Sequence, residues 1–238
     1  MNINELLNEI KLDWHTPTGS TSGVLQSPKL KFIAAGCQAI AYYHKTHPNT
    51  VVKVAAVSGQ DDPLWQFLRV CINHPDNPYF PTVFNHKMFN LTSITPEEES
   101  YLESHPEFEY LPIHDNRKLQ LLIVTERLQE LDNLQFAHHI ARLGLRSLLS
   151  KTVSSQNANT SKRPITSEIA WLRLMDTTSG RKAIREIATD KHFVQALRIM
   201  EPLFAHAGFY ADVHIGNMML RKNGQLVFND PLAIIVDD

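Results

Sequence analysis

Phe209-Tyr210-Ala211-Asp212-Val213-His214-Ile215-Gly216-Asn217-Met218-Met219-Leu220-Arg221, continued by Leu226-Val227-Phe228-Asn229-Asp230-Pro231, is the stretch whose reading decides the fold. It reads as a short apolar strand, a polar loop and a β-hairpin turning at Asn223-Gly224, with an acid at the exit of the last strand. Asp212, Asn217 and Asp230 set three acceptor side chains on one small hairpin. Phosphoryl transfer uses such a set. One carboxylate orients the attacking group, while an amide oxygen and a second carboxylate hold Mg²⁺ on the nucleotide phosphates.

The totals narrow the alternatives. The chain has 238 residues, 43% of them hydrophobic, with a net charge of −2. That length suits one large domain or two lobes sharing a cleft. The charge balance offers no basic stripe, so direct nucleic-acid binding is not expected. No apolar run reaches the roughly 20 residues of a membrane span, and Met1-Asn2-Ile3-Asn4-Glu5 does not open like a signal peptide. With only Cys37 and Cys71, the expectation is a protein of the reducing cytoplasm. His138 and His139 are adjacent on a predicted helix, point about 100° apart and make a poor metal pair.

Outward from the hairpin, residues 3–12 put Ile3, Leu6, Leu7 and Ile10 on one helical face, and 13–28 read as loop. Leu30–Ala34, Ala39–His44 and Thr50–Val57 read as strands, with turns at Ala35-Gly36-Cys37-Gln38 and His47-Pro48-Asn49. Lys53 stands amid Val51, Val52 and Val54. A charge on such a strand is costly unless it points at a partner. A helix over Pro63–Ile72 follows, then strands over Thr82–Phe89 and Leu119–Thr125, separated by an acidic insertion whose Thr95-Pro96-Glu97-Glu98 reads as a helix start. From 133 the period becomes helical, with Leu134, Ala137, Ile140, Ala141, Leu145 and Leu148 as the apolar stripe. Residues 150–166 read as a polar loop. Ser167–Asp176, Gly180–Ala188 and Lys191–Ala207 read as helices, with Asp190 capping the last and Gly208 ending it.

Asp212-x-His214-x-x-Asn217 followed by strand-end Asp230-Pro231 resembles the catalytic and metal-binding segments of the protein-kinase-like superfamily. His214 stands where typical protein kinases carry Lys, and Asp230-Pro231 where Asp-Phe-Gly is usual. The form is most similar to the early serine/threonine kinases of T-seven-type coliphages. The resemblance implies an α+β, two-lobed protein-kinase-like fold: an extension at 1–30, a five-stranded antiparallel N-lobe at 31–126, and a shortened, mainly helical C-lobe at 127–238. It implies ATP in the cleft between the lobes, with backbone at Gly36, Cys37 and Gln38 over the phosphates, Lys53 on the α/β-phosphates, and Glu126 and Leu128 backbone groups on adenine. Asn217 and Asp230 would hold Mg²⁺, and Asp212 would orient the acceptor hydroxyl. His214 would donate to the γ-phosphate or brace the loop.

The implied activity is phosphorylation of Ser or Thr on host proteins in the host bacterial cytoplasm, and of the Ser/Thr-rich 150–166 stretch itself. Two alternatives stand beside it: a small-molecule phosphotransferase, since antibiotic and choline kinases share Asp-x-His-x-x-Asn, and a non-catalytic protein on a kinase scaffold. Two departures from the family pattern matter. A single Gly36 replaces three glycines, and no Glu lies between Lys53 and Pro81 to pair with the strand Lys.

Overall fold

The computed structural model describes residues 30–35, 39–90, 119–157, 166–206 and 208–234. The expected N-terminal helix, the acidic insertion and the turn Gly36-Cys37-Gln38 lie outside them. The described residues form an α+β protein with a five-stranded antiparallel sheet and six α-helices. The chain divides into two compact units, one of 1–65 with 82–127 and the other of 66–81 with 128–238.

The first unit is built on the sheet β1 (Leu30–Ala35), β2 (Ala39–His44), β3 (His47–Val57), β4 (Val83–Asn90) and β5 (Leu119–Glu126), in the order β1-β2-β3-β5-β4. The apolar run of β5 forms because Leu121, Leu122, Ile123 and Val124 are all buried, on both faces of the pleat. The β2–β3 turn falls at Lys45-Thr46 rather than at His47-Pro48-Asn49. His44 and His47 pair directly across it, and Thr46 Oγ1 lies 2.9 Å from His44 Nδ1. The shorter turn lengthens β3, and Pro48 contributes a carbonyl that accepts from Arg127. Asp62 closes the turn that follows β3: its carboxylate accepts from Ser58 N–H at 3.0 Å and from Leu64 N–H at 3.0 Å. It thereby caps helix α1 (Pro63–Asn73), which has Pro in its first position.

The second unit takes most of α1, from Gln66 on, and the five helices α2 (Asn133–Arg142), α3 (Arg146–Asn157), α4 (Ser167–Asp176), α5 (Thr178–Ile187) and α6 (Lys191–Phe204). Four of them open on the side chains expected of caps, Asp132, Thr166, Thr177 and Asp190, each accepting from a first-turn backbone N–H. The single stripe predicted from Leu134 to Leu148 is broken. Gly144, at φ +76°, ends α2 with its N–H on the Ala141 carbonyl, while Leu145 N–H reaches the Ile140 carbonyl. The break rotates the second half of the stripe. Leu134 is 83% exposed, and the buried residues are Phe136, His139, Ile140, Leu143, Leu145 and Leu149. Residues 150–157 of the predicted polar loop are helical, as the end of α3; 158–165 lie outside the described residues. Helix α6 stops at Phe204, three residues before the predicted end, with Ala205 as its C-cap.

Segment 66–81, which the family resemblance puts in a lobe of 31–126, groups with this second unit. The cause is a set of specific contacts. Asn77 donates to the His192 carbonyl, Arg221 donates to the carbonyls of Pro78 and Phe80, and the Tyr79 ring meets Phe193 edge-on at 5.2 Å. Tyr79 also donates to the cap residue Asp190 at 2.9 Å.

A buried ion network ties α4, α5 and α6 together. Arg181, 2% exposed, donates to the Met175 carbonyl and to Glu201, and Arg185 donates to the same carboxylate. Burial alone would raise the Glu201 carboxyl, but the two arginines outweigh it and hold the group below the ordinary carboxylate range. A depressed carboxylate adds stability above its unfolded-state pKa and loses it as pH falls through the folded value. Glu201→Gln should therefore cost about 1.5–3 kcal/mol near neutral pH. The difference from wild type should shrink once the pH drops below the ordinary carboxylate range, as urea midpoints measured across pH will show.

Candidate functional site

The predicted hairpin forms, and a strand absent from the sequence pattern closes it. Strands β7 (Phe209–Ala211), β8 (Met218–Leu220), β9 (Leu226–Phe228) and β10 (Leu232–Ile234) follow α6, with a 3-10 turn at Ile215–Asn217. β7 alternates buried, exposed and buried, so Phe209 and Ala211 anchor it. It pairs antiparallel with β10 in the register Ala211 to Leu232. β8 pairs with β9 and with β6 (Gln129–Glu130). The Asn223-Gly224 turn is closed by Gly224 N–H on the Arg221 carbonyl at 2.8 Å.

This topology brings the second unit's predicted site residues together. One residue beyond the β7–β10 ladder, Asp212 N–H donates to the Pro231 carbonyl at 2.9 Å. On the other side of Asp230, Asn229 N–H donates to the Asn217 carbonyl at 2.8 Å. Asp230 is thus bracketed by one bond to Asp212 and one to Asn217. The Asn217 side chain completes the clasp, its Nδ2 donating to the Asp212 carbonyl at 2.8 Å and to Asp212 Oδ2 at 2.9 Å. Both partners accept, so the amide nitrogen faces Asp212 and the Oδ1 oxygen is turned away from it. All three residues are half-buried. Asn217 Oδ1 and the Asp230 carboxylate are hard oxygen donors, the type that Mg²⁺ takes alongside water and phosphate oxygens.

The orientation of His214 is set by its own loop. Gly216 N–H donates to His214 Nδ1 at 3.0 Å, which requires a lone pair there and places the proton on Nε2. Nε2 lies 3.8 Å from Asp212 Oδ1. The ring covers Gly216 closely: a β-carbon at 216 would stand 2.8 Å from His214 Cε1.

Two further residues belong to this neighbourhood. The Trp171 indole N–H donates to the Val213 carbonyl at 2.8 Å. The Asp176 carboxyl, at the end of α4, is pushed above its ordinary range by desolvation first, opposed by Arg181 and reinforced by the charge of Asp212. Neither carries a sequence signal, because both sit in a helix with ordinary amphipathic spacing, far from the hairpin in the chain.

In the first unit, Lys53 is half-buried on β3, paired with Ala41 on one side and Ile123 on the other. Glu126 ends β5 with its N–H on the Thr82 carbonyl at 3.0 Å and its carboxylate accepting from Thr82 N–H at 2.8 Å. Gly36, Cys37 and Gln38 lie outside the described residues. Leu128, half-buried, begins the second unit's C-terminal stretch. Among the described residues, no three His, Cys, Asp or Glu side chains gather into a metal-binding group, and no helix is long and apolar enough to cross a membrane.

No protein-family model matches the chain, and no curated protein matches it. Among solved structures it is similar to the pseudokinase PEAK1 (Sugen Kinase 269), at 12% identity and a TM-score of 0.30. That likeness covers 83% of this chain and 42% of the PEAK1 chain, so this chain spans less than half the length of that structure.

Gly216→Ala should push the His214 ring aside and break its bond to the backbone, at a stability cost under about 1 kcal/mol because the obstructed atoms are the end of a movable side chain. Imidazole nitrogen shifts in ¹⁵N-labelled protein should then lose the pattern of a fixed Nε2–H form.

Proposed function

We propose that this chain is a protein-kinase-like phosphotransferase that moves the γ-phosphoryl group of ATP to Ser or Thr hydroxyls of proteins. The acceptors are host proteins, by resemblance to the early kinases of T-seven-type coliphages. The observation that carries the reading is the clasp in which the Asn217 amide binds Asp212 while backbone bonds bracket Asp230. It supports a division of labour in which Asp212 deals with the acceptor and Asn217 and Asp230 deal with a cation.

In this mechanism Asp212 accepts a hydrogen bond from the acceptor hydroxyl, aims its oxygen and takes up its proton. Asn217, through Oδ1, and Asp230 would hold Mg²⁺. By the same resemblance, Lys53 would hold the α/β-phosphates of ATP, and backbone groups at Gly36, Cys37 and Gln38 would cover them. When bound, ATP would supply the phosphoryl group and Mg²⁺ would neutralise the charge that develops on it. His214 braces the loop: its Nε2–H is directed toward Asp212 Oδ1 by the Gly216 bond. The Glu126 N–H is already engaged with Thr82, so adenine recognition falls to other backbone groups of Glu126 and Leu128.

A second reading is a nucleotide-binding scaffold that performs no transfer. One observation favours it: α1 reads PLWQFLRVCIN, without the helix Glu that the family pattern carries.

Incubation with γ-labelled ATP and Mg²⁺ separates these readings. Label on protein is expected, falling by roughly 10²–10⁴ in rate for Asp212→Ala, with an unfolding midpoint close to wild type. Label on a small acceptor would redirect the assignment to small-molecule transfer. Nucleotide binding without turnover would select the scaffold.

A further inference from the structure

We propose that Trp171 is a positioning residue for the reactive loop, gripping the Val213–His214 peptide through its indole N–H and so fixing how Asp212 and His214 are presented. Its kinetic consequence rests on the phosphotransfer reading; its structural part does not.

Among the described residues, several of the loop's bonds stay within 212–231: Asp212 to Pro231, Asn217 to Asp212, Gly216 to His214 and Asn229 to Asn217. These settle the loop's internal shape. The Trp171 bond instead joins the loop to a helix at the centre of the unit. Trp171 is 1% exposed, and its ring is held by Phe136, edge-on at 6.2 Å, and by Phe193 at 6.4 Å. A ring wedged between two aromatic neighbours has little freedom to turn, so its N–H has one direction.

The acceptor end is equally constrained. Val213 is wholly buried, and residues 212–214 belong to neither strand nor helix, so no ladder partner serves the Val213 carbonyl. A carbonyl in such a place needs a donor, and the indole supplies it. The peptide held in this way leads directly into His214 and lies one residue from Asp212. Rotating it would swing the His214 ring away from Asp212 and tilt the backbone on which Asp212 stands. The Asp176 carboxyl, on the same helix, already feels the charge of Asp212, in keeping with α4 lying against this loop.

Trp171→Phe keeps an aromatic ring between Phe136 and Phe193 and deletes the donor. A misplacement of about an ångström at a reacting group costs on the order of 100-fold. The expected result is therefore a kcat lowered by roughly 10- to 100-fold per folded molecule, counted by near-ultraviolet circular dichroism, with KM for ATP unchanged. The His214 ring resonances should shift in the same variant, which loss of core packing alone would not produce. Where Trp171→Phe does not fold, 3-benzothienylalanine at position 171 removes the N–H while keeping the bicyclic shape, and the same changes are expected. In the wild-type protein the Trp171 indole proton should exchange slowly with deuterated water. Wild-type kcat together with unshifted His214 resonances in the donor-less protein would overturn the proposal, as would an indole proton that exchanges as fast as an exposed one. A wild-type protein that transfers no phosphate would instead overturn the phosphotransfer reading, and the exchange and His214 measurements would still decide the anchor.

Discussion

The geometry of the candidate site depends on one short piece of β-structure, the pairing of β7 with β10. Three residue pairs set that register. The residues just past its end, Asp212 and Pro231, are then joined by a further backbone bond. Without β10, Asp230 would sit at the end of a hairpin arm with one flank loose. With it, the carboxylates of Asp212 and Asp230 leave a backbone that is tied on both sides. The Asn217 amide adds two bonds to the same acid, so an amide and a carboxylate that could each rotate independently become one unit. Precision of this kind is easier to hold with backbone ladders than with long side chains, which lose more rotamer freedom when ordered.

Around this ladder the second unit is stiffened from several directions. Asp190 caps α6 and receives the Tyr79 hydroxyl, and the Tyr79 carbonyl accepts from Phe228 N–H, so one tyrosine joins the start of α6 to the end of β9. Phe193 lies stacked near Phe228 at 6.0 Å. The Arg181–Glu201–Arg185 group draws α5 against α6. Such a buried charge cluster is weak as a source of net stability, because desolvation offsets much of its attraction. Its geometry is nonetheless demanding, and it constrains how the helices approach each other.

Much of this architecture is legible in the amino-acid sequence. The strands of the first unit and the helices beginning at Ser167 and Lys191 follow from apolar periodicity and cap residues, because those signals are local. The failures are non-local or arise from one backbone angle. Gly144 is a single glycine in a persuasive helical stripe, and its positive φ ends the helix there, while Leu134 lies off the face that buries Phe136 and Ile140. His47-Pro48-Asn49 has the composition of a turn, yet the cross-strand pairing of His44 with His47 places the turn two residues earlier. The polar run after Leu149 lacks apolar spacing, but α3 carries it on as helix to Asn157. At the site, the spacing of Asp212, Asn217 and Asp230 is plain because all three belong to one hairpin. Trp171 and Asp176 give no such signal, since nothing in an ordinary amphipathic helix reports which loop it will meet. Strand β10 is equally silent, because Leu232–Ile234 is too short to be distinguished from a coil by periodicity.

The grouping of Gln66–Pro81 with the C-terminal residues bears on how the molecule is made. Arg221 donates to the carbonyl of Pro78 across 143 positions of sequence, and to that of Phe80 across 141. On a ribosome, the segment carrying Tyr79 and Phe80 emerges long before the hairpin that engages it. Its aromatic residues must remain unsatisfied, or shielded by a chaperone, while most of the helices are still being synthesised. Closing so large a loop is an entropic cost met late, so assembly of this unit should end with the hairpin that bears the acids, rather than begin there.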